Sequence, residues 1–164
     1  MRPNHSYAMV GKFSLSPPGF GTSSSTIHSI DLSTYSPSNP VAPTQQIASL
    51  PHVGFLNGLT TFDIERGIIL AADSSLSSIW LIDTLTGSTR ILLQEPEMVP
   101  PPGSTAVSIS SISINGLHIL NSKSRHNNVK GIYFSNSATS NFYHVATRHS
   151  SCRRSEMWKS SKRA

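Results

Sequence analysis

The sequence predicts an all-β chain built from repeated four-stranded antiparallel sheets, in the manner of a partial β-propeller. Three observations carry this. Charged residues make up only 13% of the 164 residues, and Ser, Thr, Pro, Gly and Asn fill much of the remainder. That balance suits short strands and turns better than long helices. Apolar residues alternate with polar ones over short runs that end in turn signals. Finally, one pattern occurs twice: "FLNGLTTFDIERGIILAADS" near residue 55 and "SINGLHILNSKSRHNNVKGIYFSNS" near residue 113.

Taken in order, "YAMVGKFSL" alternates as a strand, and "SPPGFGTSS" then breaks it with Pro and Gly. In "STIHSIDLS", Ile27, Ser29 and Asp31 share one face and His28, Ile30 and Leu32 the other. Prolines across 37–51 forbid a helix, and "TQQIASL" reads as a short strand. "GLTTFDI" and "GIILAADS" are two strands joined by "ERG", and "SSIWLIDTLTGSTRILLQ" is a hairpin turning at "TLTG". In "EPEMVPPPGSTAV", Pro100, Pro101 and Pro102 exclude regular structure. "SINGLHIL", "KGIYFSNS" and "NFYHVAT" begin the series again, and the extra residues of "NSKSRHNN" fall in a hairpin turn.

The repeat aligns by register. Asn57-Gly58-Leu59 matches Asn115-Gly116-Leu117, Ile69–Ser74 matches Ile132–Ser137, and Ile79–Ile82 matches Phe142–Val145 without a gap. The first segment fits as well, with "MVGKFS" in the place of "LAADSS" and "STIHSIDL" in that of "SSIWLIDT". Such a unit is a propeller blade: a small sheet with two apolar faces that buries both only between neighbours. The blades fall at about 7–50, 51–99 and 107–147, so residues 1–147 form two to two and a half blades. A ring needs at least four. Either the chain assembles with copies of itself or it is part of a longer protein. The abrupt change to Arg, Lys and Ser after residue 147 favours the second expectation.

Charge excludes some function classes. Residues 1–147 carry seven basic and seven acidic groups, so the net +5 arises wholly in the 148–164 tail, which is expected to be disordered. A neutral body argues against a specific nucleic-acid surface. No run of about 18 apolar residues is present, so no membrane span is expected. The single cysteine, Cys152, needs no oxidising compartment, and a cytoplasmic location is expected.

The combination of "FLNGLT", "INGL", "ADSSLSSIWLIDTLTG" and "GIYFSNSATSNFYHV" resembles the SMP-30/gluconolactonase-like six-bladed propellers, and most of all their fungal secondary-metabolism branch. The resemblance spans roughly residues 9–145. It implies one of two chemistries. Some members of the branch are metal-independent pericyclases that promote Diels–Alder or hetero-Diels–Alder cyclisation of a polyketide or terpenoid intermediate. This is the preferred expectation, and it requires no cofactor. The alternative is lactone or ester hydrolysis with a divalent cation such as Ca2+, in which Asn57 matches a ligand position. Asn115 stands where those enzymes usually have Asp, and a neutral amide is a poorer partner for a hard cation. A truncated, non-catalytic remnant is the third expectation.

From the residues themselves, Asn57 and Asn115 carry two readings. Asn-Gly is a common turn dipeptide, but equivalent blade positions also point toward one channel, where a small-molecule ligand would sit. Both readings stand at this point. His52, in "LPHVGFLNGL", precedes Asn57 and is the third candidate for the channel. No catalytic residue is assigned: no G-x-S-x-G elbow, phosphate loop or paired metal-binding histidines appear. Asp73 and its counterpart Asn136 read as turn caps, and Asp83 as a turn opener. Trp80, Phe134, Phe142 and Tyr143 are expected to pack between blades.

Overall fold

The computed structural model describes residues 5–11, 23–103, 112–123, 128–148 and 160–162. They form three antiparallel sheets. The first joins β1 (His5–Gly11), β2 (Ser23–Asp31) and β3 (Thr44–Val53). The second joins β4 (Leu56–Asp63), β5 (Ile68–Asp73), β6 (Ser78–Asp83) and β7 (Thr89–Leu93). The third joins β8 (Ile114–Lys123), β9 (Asn128–Asn136), β10 (Asn141–Arg148) and β11 (Ser160–Lys162). Within each sheet the strands follow chain order, each pairing with the next. The chain is therefore all-β, in the arrangement of a partial propeller.

The residue pattern explains the stacking. Pairing Ile69 with Ile82 and Ala71 with Trp80 sets one face of the second sheet, while Leu70 with Leu81 and Ala72 with Ile79 set the other. Ile69, Ala71 and Ile82 bury against Ile27, Ala48, Leu50 and Val53 of the first sheet. Leu70, Ala72 and Ile79 bury against Ile114, Ile132, Phe134, Tyr143 and Val145 of the third. This is why "IILAAD" is a continuous apolar run rather than an alternating one: both of its faces are covered. Fully burying each Ile or Leu contributes about 1.5–3 kcal/mol.

Between the second and third sheets, Pro96–Met98 form one 3₁₀ turn that drops Met98 into the shared core. A set of serines ties the junction. Ser113 N–H and Oγ donate to Ser74 O at 3.1 and 2.6 Å, Ser77 Oγ donates to Ser113 Oγ at 3.0 Å, and Ser74 Oγ donates to Ile114 O. Ser137 N–H continues the set to Ser113 O at 2.9 Å.

Two expectations change. The tail from 148 onward contributes Ser160–Lys162, which pair with Val145, His144 and Tyr143 as the fourth strand of the third sheet. The pairing follows from the free edge that β10 otherwise presents. Residues 149–159 lie outside the described residues, as does the centre of the "NSKSRHNN" turn. Phe142 does not pack between the described sheets: it is 60% exposed, on the face of the third sheet that no described sheet covers. Phe134 and Tyr143, on the opposite face, are buried and stacked at 5.3 Å.

Candidate functional site

The first strands of the second and third sheets, β4 and β8, lie against each other. Each carries Asn-Gly-Leu, and in each the ladder slips at the glycine: between Leu56 and Leu59 in β4, and between Asn115 and Leu117 in β8. The Asn-Gly pairs are thus bulges inside strands, not hairpin turns. Gly58 has φ +117° and Gly116 has φ +57°, values that L side chains rarely adopt. A Cβ on Gly58 would stand 3.4 Å from Leu117 N and 3.6 Å from Gly116 Cα. The two bulges are backbone neighbours across the sheet junction.

The side chains differ. Asn115 is half-buried; its side-chain NH2 donates to Ser137 Oγ at 3.3 Å, and its main-chain carbonyl accepts from Ser135 Oγ at 2.6 Å. It is tied into its own sheet. Asn57 is half-buried too, and its amide has no hydrogen bond among the described residues. His52 is exposed near the end of β3, the last strand of the first sheet, and likewise makes no hydrogen bond among the described residues. Nothing ties it to either asparagine.

Beside β4 lies an open cleft of about 280 Å3, lined by His5, Ser6 and Tyr7 of β1, Leu59, Thr60 and Thr61 of β4, and Ile69 of β5. It exists because the first sheet, among the described residues, has no strand in the place that β4 and β8 take in the others. Its lining offers an imidazole, a phenol and three hydroxyls, with Leu59 and the almost fully buried Ile69 as its aliphatic members. His5 Nδ1 lies 4.0 Å from Asp31 Oδ1. Asn57 is on the same strand, two residues before Leu59, and does not line the cleft. Periodicity could not have revealed this site, because the cleft arises from a missing neighbour and not from a motif.

The aspartates are all structural. Fully buried Asp73 accepts N–H groups from Gly54, Phe55, Ser75 and Leu76 at 2.8–3.1 Å. Asp63 accepts from Glu65 and Arg66, Asp83 from Leu85 and Thr86, and Asp31 from Ser33. The N–H groups of Leu85 and Thr86 hold the Asp83 carboxyl below its ordinary value. These four are the only Asp residues in the sequence.

This donor set fits a lactonase-type cation poorly. Among the described residues no three His, Cys, Asp or Glu side chains gather where an ion could bind. Asn57 and Asn115 would each supply one neutral oxygen, since Ser137 accepts only from the Asn115 NH2 group, and each aspartate carboxylate is turned toward backbone N–H groups. A hard cation prefers carboxylate oxygens in greater number.

Compared with known proteins, the chain matches no family model, and no curated protein sequence is significantly similar to it. No helix among the described residues is long and apolar enough to cross a membrane.

Proposed function

We propose that this protein binds a small, largely apolar biosynthetic intermediate along β4 and promotes its metal-independent cyclisation. One observation carries the reading: the half-buried Asn57 amide, with no hydrogen bond among the described residues, stands on the strand that also walls the cleft. An uncommitted amide donates to a carbonyl without first breaking a bond to the protein, and in partial burial that donation polarises more strongly than in water. A Diels–Alder or hetero-Diels–Alder closure needs little more. Two σ bonds form at the expense of π bonds, with no atom or electron exchanged with the protein. The protein's part is to hold diene and dienophile at contact and to polarise the activating carbonyl.

In this reading Leu59 supplies apolar contact in the cleft, and Thr60, Thr61 and Tyr7 orient the substrate there. Asn57, outside the cleft lining, is the donor to the part of the substrate that extends two residues further along β4. Resemblance to the fungal secondary-metabolism propellers supports a polyketide or terpenoid substrate, and a cytoplasmic location belongs to the same proposal. The test is to incubate the purified protein with a linear compound in which a conjugated diene is tethered to an α,β-unsaturated carbonyl. Cyclised product should form faster than in buffer. The rate should be unchanged by EDTA and should fall by about 10-fold or more in Asn57→Ala, the loss of one hydrogen-bond donor. A rate equal to background, or one abolished by EDTA, overturns the proposal.

A further inference from the structure

The two end faces of the sheet stack are continuations of the interfaces already inside it. The repeat register places Tyr133, Phe142 and His144 of the third sheet in the positions of Leu70, Ile79 and Leu81 of the second. There, Leu70 and Ile79 are fully buried because the next sheet covers them. At the other end, Ala8, Val10 and Ile30 hold the positions of Ile69, Ala71 and Ile82, which are buried by the preceding sheet. Yet Phe142 is 60% exposed and Val10 55% exposed. Both ends present inter-sheet faces without a described sheet against them.

The two faces are also complementary. Around Ala8, Val10 and Ile30 at one end and Tyr133, Phe142 and His144 at the other, no adjacent position carries Asp, Glu, Lys or Arg. Arg148, at the far end of β10, is the one charged position on the parity of Phe142 among the described residues. Depletion of charge marks an interface core. The third-sheet end is built of large rings: Tyr133 stacks on His144 at 4.5 Å and on Phe142 at 5.9 Å. The first-sheet end is built of small groups, Ala8 and Val10 beside Thr26, whose hydroxyl is 2.9 Å from His28 Nε2.

We infer that a second copy of this chain covers both ends, first sheet of one against third sheet of the other, closing a two-fold ring of six sheets. The interface is head-to-tail, and a ring of two uses both seams. The three described sheets cannot close a ring by themselves, since a propeller needs at least four; two copies supply six. A face three to four strands wide and about seven residues long covers roughly 15 by 23 Å. Two seams bury four such faces, on the order of 1,300 Å2, which lies in the range of stable specific interfaces. The inference rests on the fold and does not depend on the proposed chemistry.

Light scattering coupled to size exclusion at tens of micromolar tests it. The wild type should elute at twice 17.7 kDa. Val10→Glu and Phe142→Glu should each elute as monomers with unchanged circular dichroism, since both side chains are exposed within one chain. Mixed in equal amounts, the two variants should regain a dimer, because one seam between them is undamaged. A monomeric wild type overturns the inference, as does a larger open oligomer. So does an oligomer that neither variant dissociates, or a mixture that stays monomeric.

Discussion

Asp73 and Asn136 occupy the same place in successive sheets, and their surroundings are opposite in sign. The Asp73 carboxylate accepts four backbone N–H groups. The Asn136 amide donates to the carbonyls of Glu97 and Met98 at 3.0 and 3.3 Å, and its own carbonyl accepts from Thr139 N–H at 3.2 Å. Each position therefore specifies its residue. Asp73→Asn would aim an NH2 group at N–H donors, and should cost about 2–3 kcal/mol in urea unfolding.

Asn136→Asp should cost about 3 kcal/mol or more at neutral pH, because it places a carboxylate against two carbonyl oxygens in a fully buried site. The introduced carboxyl would have a folded-state pKa above its unfolded value. The penalty should therefore shrink as pH falls through that raised value, when the protonated group can donate. A urea midpoint that moves equally with pH in variant and wild type would refute this.

Asp83 works in the other direction. Its carboxyl is held below the ordinary value by the Leu85 and Thr86 N–H groups, so its contribution is fully present above the unfolded value. That contribution is lost as pH falls through the lower folded value. Asp83→Asn should flatten the acid limb of the stability curve below about pH 4 and leave the curve's shape near neutrality unchanged. Urea midpoints across the acid range measure it.

Gly58 and Gly116 should respond unequally to alanine. Gly116, at φ +57°, lies in the left-handed basin that other residues enter at about 1 kcal/mol. Gly58, at φ +117°, lies outside it, so the backbone conformation itself is strained for alanine, although its Cβ would make only ordinary contact with Leu117 N. Gly58→Ala should lose about 2–3 kcal/mol and Gly116→Ala about 1 kcal/mol. Thermal unfolding would rank them.

Trp80 Nε1 is buried with no hydrogen-bond partner among the described residues. Trp80→Phe removes an unsatisfied donor while keeping most of the packing against Ala71's face, so its cost should stay within about 1 kcal/mol. Trp80→Ala should cost about 3 kcal/mol. Equal losses would mean that the indole N–H has a partner after all.

The fold was legible because its signals are local. Apolar alternation, turn residues at strand ends and the repeated Asn-Gly-Leu all act within a few residues, and they place the second sheet strand by strand. What lay between sheets was less legible. An Asx turn at Asp73 is visible in "AADS", but Gly54 and Phe55, which approach from the end of the first sheet, are not. The apolar character of Phe142 says that its face suits a neighbour; it cannot say whether one is there. The Asn-Gly-Leu repeat foretold two equivalent positions. It did not foretell that Asn115 would be engaged by Ser137 while Asn57 stays uncommitted, since that depends on serines brought in by a later turn. His5 and Tyr7 escaped notice because a cleft has no periodicity.

The covered middle sheet sets how the molecule comes apart. β5 and β6 are flanked by packed layers, while within one chain each outer layer is supported by a described sheet on one side only. In such a stack, opening spreads inward from the ends, and each layer that detaches exposes the next. Amide protons of Ile69–Ala72 and Ile79–Ile82 should therefore exchange with solvent deuterium last. Clamping both ends would slow that exchange further without touching the centre.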